Sequence, residues 1–170
     1  MKSSFWVVLA ALGLAGTSGA QDTPRPNPSF SIRLSGPQRE AKARSPIEVR
    51  ATLTNVSDHD FRSGLVLCRE CKAGRRSQMD FKVYDSEGNL VPEITHGKRI
   101  NGRAEDQLDA PVSVVSFAIK PGDFLLEDAD LSDEVGPLKP GKYTVQAERR
   151  DPYSGGELVK SNIITITVVQ

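Results

Sequence analysis

Apolar and polar residues alternate with a period of two along most of the chain from Phe30 onward. Every second residue of 46–55 is apolar, and this set consists of Ile47, Val49, Ala51 and Leu53. The same alternation returns at 142–148 and 162–169. A period of two is typical of antiparallel strands that bury one face.

Clusters of Gly, Pro, Asn, Asp and Ser separate these runs and predict turns at 55–58, 85–89, 120–123, 140–141 and 151–156. We therefore predict eight strands, near residues 30–35, 46–55, 60–67, 79–85, 112–120, 123–130, 141–150 and 161–169. The pattern contains no amphipathic helix long enough to cover a sheet. The expected fold class is all-β, an immunoglobulin- or fibronectin-III-like antiparallel β-sandwich of about eight strands.

One late strand begins with the pattern of a tyrosine corner. Residues 138–145 read Leu-Lys-Pro-Gly-Lys-Tyr-Thr-Val, which places Tyr143 where its hydroxyl can bond back to the backbone just upstream. The Leu-x-Pro lead-in favours a fibronectin-III-like sandwich. Val145 stands where an antibody-type domain would have its second core Cys. We assign Tyr143 a structural role; an ordinary strand that contains a Tyr is the alternative.

The first 20 residues have the three-part order of a secretory signal. Lys2 precedes an apolar run over 5–15, and small residues precede an expected cleavage between Ala20 and Gln21. Because the run is too short for about 30 Å of hydrocarbon, we expect cleavage rather than anchoring. The mature chain is expected to be exported, periplasmic or extracellular, without insertion into the membrane. The expected organisation is a signal peptide at 1–20, an extended Pro-rich lead-in at 21–29 and one domain at 30–170.

The net charge excludes one class of partner, and the length limits the number of domains. The chain has 22 basic and 22 acidic side chains, so loss of Lys2 leaves 21 against 22 and a formal charge of −1. A nearly neutral protein has no long-range field that attracts nucleic acid, and we expect none as a partner. The remaining 150 residues suit one domain with a sizeable core.

Four short patterns follow one another in a recognisable order: Thr52-Leu53-Thr54-Asn55-x-Ser57-Asp58, Asp80-Phe81-x-Val83-Tyr84-Asp85-x-x-Gly88, Lys120-Pro121-Gly122 and Leu138-x-Pro140-Gly141-x-Tyr143-Thr144-Val145. The series resembles the bacterial intracellular proteinase inhibitor family and related exported Ig-like domains of unknown function, over about residues 46–147. The resemblance implies an Ig-like fold and, as an alternative function, proteinase inhibition. Three features depart from the family: the expected export, the segment 68–78 and the strand at 161–169.

Cys68 and Cys71 are the most distinctive local feature. In an oxidising compartment, two Cys separated by two residues are expected to form a small disulfide loop that fixes a turn. Nearby cations would favour a reactive thiolate, and these are Arg69, Lys72, Arg75 and Arg76. Redox pairs of this spacing usually begin a helix in a βαβ unit, which the pattern here does not predict. A thiol redox role therefore stays an alternative.

Metal chemistry is also an alternative and not the main expectation. His59 and His96 could complete a site with the two Cys, but their spacing matches no recognised zinc pattern, and both are predicted in solvated loops. An acidic run could supply oxygens to Ca²⁺ or form a solvated strand edge, and it consists of Glu127, Asp128, Asp130, Asp133 and Glu134. Asn55-Val56-Ser57 fits a glycosylation acceptor, but its Asn and Ser are better explained as turn formers. We expect neither a metal nor another cofactor.

No catalytic motif stands out, since the sequence lacks a Gly-x-Ser-x-Gly elbow, a His-Glu-x-x-His pair and a phosphate-binding glycine loop. The long connection at about 92–110 adds cations that could join those near the two Cys in one basic surface. The candidate partner-binding residues are Arg69, Lys72, Arg75, Arg76, Lys98, Arg99 and Arg103. The sequence therefore predicts an exported, non-enzymatic Ig-like module that binds another protein. A proteinase inhibitor and a thiol or metal protein are the alternatives.

Overall fold

The computed structural model describes residues 27–37, 40–67, 79–100 and 113–170. In chain order its elements are β1 (Phe30–Ser35), β2 (Ala41–Lys42), β3 (Glu48–Asn55), β4 (Phe61–Leu67), β5 (Asp80–Tyr84), α1 (Thr95–Ile100), β6 (Ser113–Ile119), β7 (Phe124–Asp130), α2 (Leu131–Val135), β8 (Gly141–Asp151), β9 (Glu157–Lys160) and β10 (Ile164–Val169). In these ranges no helix has the length and apolar character needed to cross a membrane.

Two sheets and a ribbon make up the fold. The first sheet has the order β1-β3-β7, and the second has the order β2-β10-β8-β5 with β9 beside β8. Strands β4 and β6 pair as a separate antiparallel ribbon. Alternate residues of the two sheets share one buried core, which includes Phe30, Ile32, Leu34, Val49, Ala51, Leu53, Phe81, Val83, Val145, Ala147, Ile166 and Val168. The predicted fold class, an Ig-like β-sandwich, is confirmed.

Each of the eight predicted strands coincides with an observed one, and the differences lie at their ends. The last predicted strand begins at Ile164 rather than at 161, because residues 161–163 separate β9 from β10. In that break the Ser161 N–H still donates to the Ala147 carbonyl, at 2.8 Å. Strands β9 and β10 therefore both run alongside β8. Strands β2 and β9 are additions to the eight predicted strands, and the two residues of β2 pair in parallel with β10. Helix α1 lies within the connection predicted as an irregular loop.

Helix α1 approaches α2 closely at a glycine. A side-chain carbon built on Gly97 would lie 2.1 Å from the Glu134 backbone oxygen, far inside van der Waals contact. The Ile94 N–H donates to the same oxygen at 2.9 Å. Only Gly allows the two helices to lie this close, and their contact fixes the start of the connection that follows β5.

One side chain occupies part of the outer edge of β1. Asn162, in the break between β9 and β10, accepts from the Leu34 N–H at 2.9 Å and donates to the Leu34 carbonyl at 3.0 Å. Its amide thus reproduces the two bonds that a neighbouring strand would make. This side chain links the edge of one sheet to the other sheet, and nothing in the pattern of apolar residues indicated it.

Tyr143 has the geometry of the corner assigned from the sequence. Its hydroxyl donates to the Lys139 carbonyl at 3.0 Å, four residues upstream. The bond joins the loop before β8 to the first residues of that strand.

We expect Asn162→Asp to lower the free energy of unfolding by about 1–3 kcal/mol, because the variant places an oxygen opposite the Leu34 carbonyl and removes the donor. Urea denaturation of the two proteins measures this difference. Asn27→Asp makes the same chemical change at an exposed position and serves as the control. Equal destabilisation by both variants would contradict a role for the Asn162 amide in closing the edge.

Candidate interaction surface

Asn55 organises one end of the first sheet from inside. Its side chain is 1% exposed, and its Nδ2 donates to the carbonyls of His59 and Ile119, both at 2.8 Å. Its Oδ1 accepts from the Ser57 N–H at 2.9 Å. The turn-forming role expected for Asn55 and Ser57 is therefore present, and the buried Asn55 amide is inaccessible to glycosylation. As a consequence, loop 56–60 and turn 120–123 lie side by side.

Ser29 joins a second loop to the same end. Its N–H donates to Asp151 Oδ2 at 2.6 Å, and its carbonyl accepts from the Val56 N–H at 3.0 Å. The Tyr153 N–H donates to the other carboxylate oxygen of Asp151 at 2.9 Å. Ser29 is buried, so this last residue of the predicted lead-in belongs structurally to the domain.

The outward face of β7 carries large apolar side chains. Phe124 is 62% exposed and Leu126 is 41% exposed, and they lie opposite Thr54 and Thr52 of β3. Val56, 55% exposed, continues the outward row of β3 beyond Thr54. We call Val56, Phe124 and Leu126 the outer patch. Because single exposed apolar residues are common but a contiguous group is not, the outer patch is the best candidate for an interaction surface.

The inward face of β7 carries a carboxylate. Glu127 is only 8% exposed, and it acts electrostatically on Arg149 of β8. The Arg149 guanidinium lies 5.6 Å from the ring centre of Phe30 and 5.3 Å from that of Phe61. Burial lowers the pKa of Arg149, and the carboxylates of Glu127 and Asp151 oppose this effect. The cation thus lies against two aromatic rings, and two carboxylates act on it electrostatically.

The acidic run is not the solvated strand edge that the sequence suggested. Asp128 makes a bidentate ion pair with Arg50, with Nε and Nη2 at 2.6 and 2.9 Å from its oxygens. Asp130 caps α2 through the Ser132 N–H at 3.0 Å and also accepts from the Ile47 N–H at 2.9 Å. Glu134 is 1% exposed. Asp128 is itself exposed, but the expectation of a solvated edge is wrong for Asp130 and for the buried Glu127 and Glu134.

Exposed carboxylates surround the outer patch at the end organised by Asn55. Asp58, Asp60 and Asp123 are exposed there, and Lys120 is the cation of the adjoining turn. The hydrogen bond between Asp58 and His59 Nδ1, at 3.0 Å, lowers the pKa of the Asp58 carboxyl. At the opposite end the patch meets the Arg50–Asp128 pair and an open groove of about 620 Å³ between 35–37 and 45–50. The surface is therefore apolar in the middle, acidic at one end and charge-paired at the other.

The structure places few of the residues proposed from the sequence. Lys98 is exposed on α1, and Arg99 follows it on the same helix. The other candidates lie outside the described residues, namely Cys68, Arg69, Cys71, Lys72, Arg75, Arg76 and Arg103. Leu67 and Ser113 are register partners in the ribbon, so the chain leaves β4 and enters β6 at one end of it. The predicted disulfide and the predicted basic surface stay predictions.

The two histidines lie apart in the fold. His59 is exposed, as predicted, and its ring meets Tyr153 edge-on at 6.1 Å between centroids. His96 lies on α1, half-buried rather than in a solvated loop, and its Nε2 is buried without a hydrogen-bond partner among the described residues. Within those residues no three His, Cys, Asp or Glu side chains lie close enough to hold a metal ion.

The chain matches no protein-family model and no curated protein. Solved structures of similar fold include the CARDB domain of a Pyrococcus furiosus protein in complex with di-metal ions, at 11% identity and a TM-score of 0.39, with 84% of this chain and 89% of that chain covered. The C-terminal domain of wzt has 8% identity and a TM-score of 0.43, with 82% and 71% covered. A Listeria innocua β-glucosidase in complex with glucose has 13% identity and a TM-score of 0.41, and the match spans 85% of this chain but 16% of the enzyme. The resemblance to Ig-like domains agrees with the fold, whereas its proteinase inhibitor part finds no support here.

Acid should weaken the end of the sandwich at Asp151. Burial alone would raise the pKa of this carboxyl, but the N–H bonds from Ser29 and Tyr153 outweigh burial and hold the pKa below its ordinary value. A lowered pKa stabilises the fold above the unfolded value of about 3.9, and this contribution is lost as pH falls through the folded value. We expect the free energy of unfolding to fall over this acidic range in the native protein, and less steeply in Asp151→Asn.

Denaturation measured at a series of pH values checks this expectation. Asp60→Asn, which removes an exposed carboxylate near the same end, is the matched control and should keep the native slope. Identical acid slopes for native protein and Asp151→Asn would show that Asp151 does not contribute to acid sensitivity.

Proposed function

We propose that this chain is an exported Ig-like interaction module without catalytic activity, and that it binds a protein partner through the outer patch. The single observation that carries the proposal is the solvent exposure of Phe124 and Leu126 on a strand whose inward face buries Glu127. A sheet selected for stability alone would place the two apolar side chains inside.

Two further features support the outer patch as a binding surface. Phe124 and Leu126 lie on β7 rather than on a loop, so their positions are held by the β3–β7 ladder. The adjoining loop 56–60 is held by Asn55 and Ser29. A preorganised apolar surface loses little conformational entropy when a partner binds.

The absence of catalysis and the export are proposed on sequence grounds. The sequence contains no recognised catalytic motif, and residues 1–20 have the order of a secretory signal. Three polar side chains, Asn55, Asp151 and Asn162, have structural roles, since each bonds to backbone groups. Release of a mature chain that begins at Gln21 would be the measurable sign of export.

We expect the double variant Phe124→Thr and Leu126→Thr to retain at least tenfold less of any specific partner in a pull-down from the native periplasmic and extracellular fractions. Thr is favoured in strands, and the two side chains that it replaces are exposed, so the fold should be preserved. Circular dichroism and urea denaturation check that it is. Quantitative mass spectrometry of the retained proteins provides the measurement.

The matched control is the double variant Leu158→Thr and Ile163→Thr. These residues are 43% and 62% exposed at the other sheet, so the control removes similar apolar surface from a different face. Partners should stay bound to the control. If both double variants retain the same proteins as the native chain, the outer patch is not the binding surface.

A further inference from the structure

One side of the β7 backbone, next to the outer patch, has no hydrogen-bonded strand beside it among the described residues. Among the described residues, β7 has a hydrogen-bonded neighbour only on the β3 side. The Asn55 N–H donates to the Asp123 carbonyl and the Leu131 N–H to the Ile47 carbonyl, both at 3.0 Å. These two bonds fix the alternation of the antiparallel ladder, so odd-numbered residues of β7 bond to β3.

The even-numbered residues Phe124 and Leu126 therefore direct their N–H and C=O groups away from β3. Within the part of the chain that the structure describes, nothing bonds to these four groups. The same two residues carry the exposed apolar side chains. Unused backbone groups and exposed apolar side chains thus coincide on the same residues, which is the arrangement that accepts an additional strand.

We propose that β7 binds an extended peptide segment of a partner as a fourth strand of the β1-β3-β7 sheet, and that this segment carries alternating apolar residues and Lys or Arg. This proposal rests on the proposed function, because it names the partner of the same outer patch. The apolar residues of the segment would lie beside Phe124 and Leu126. Its cations would meet the exposed carboxylates at the end of the patch.

Charge decides between such a segment and a second copy of this chain. Asp58, Asp60 and Asp123 place exposed negative charge at the end of the patch. Residues 123–135 contain no Lys or Arg, so a second β7 strand would bring no cation to these carboxylates. A basic, apolar strand has the complementary pattern.

The test begins with a random decapeptide display library selected on the mature chain. We expect enriched sequences to alternate apolar residues and to carry Lys or Arg, and to bind the Phe124→Thr and Leu126→Thr variant at least tenfold more weakly. Hydrogen exchange of the complex should slow the amides of Phe124 and Leu126 at least tenfold. The amides of Leu125 and Glu127 should change little, since their position in the ladder is on the β3 side.

An enriched peptide is then synthesised in two N-methylated forms, each with methyl groups on alternate residues. One form blocks the N–H groups that face β7 and should bind at least tenfold more weakly, while the other should bind like the parent. If both forms bind alike, or if Phe124 and Leu126 gain no protection, strand addition is overturned. The proposed function would survive that result provided that the outer-patch variant still lost its partners.

Two further outcomes would also overturn the proposal. A selection that enriches no sequence, or only sequences without alternation, excludes an extended apolar segment as the occupant. A native dimer seen in sedimentation and lost in the outer-patch variant would assign the surface to a second copy. The Leu158→Thr and Ile163→Thr variant is the control in each measurement.

Discussion

The register of β7 on β3 is the constraint on which the surface of this domain depends. Successive side chains of a strand point to opposite faces, so a slip of one residue would bury Phe124 and Leu126 and expose Glu127. Contacts at both ends of the strand prevent that slip. Asp130 accepts from the Ile47 N–H at one end, and Asn55 bonds to turn 120–123 at the other. Polar contacts therefore reinforce the register in which Leu125 and Ala129 pack against the core.

Energetically this register gives up part of the hydrophobic contribution of β7. Full burial of a Leu or Phe side chain is worth about 1.5–3 kcal/mol, and Phe124 and Leu126 realise only a fraction of it. Burial of Glu127 and Arg149 adds a desolvation penalty, which their mutual attraction and the rings of Phe30 and Phe61 reduce. A domain of this size can lose this much stability and still fold, and a binding role would explain why the loss is retained. The recognition that we propose for the outer patch would require those same side chains on the outside.

The strands could be predicted from the sequence because alternation is a local property, and the Tyr143 corner has a local pattern as well. The face of β7 could not be predicted in this way. Its two alternating sets each mix apolar and acidic residues, with Phe124, Leu126 and Asp128 on one side and Leu125, Glu127 and Ala129 on the other. Only contacts with distant residues, such as Arg50 and Ile47, choose between them. Asn162 was missed for a related reason, because its partner Leu34 is 128 residues away in sequence.

The two edges of the β1-β3-β7 sheet differ in what lies beside their outward backbone groups, and this difference would favour selective binding. At β1 the Asn162 amide occupies both outward backbone groups of Leu34, so that part of the edge is closed to another strand. At β7 no described side chain bonds to the backbone of Phe124 or Leu126. That edge ends beside the exposed carboxylates of Asp58, Asp60 and Asp123 instead. Charge excludes a like-charged strand but admits one of opposite charge, whereas a bonded side chain excludes both.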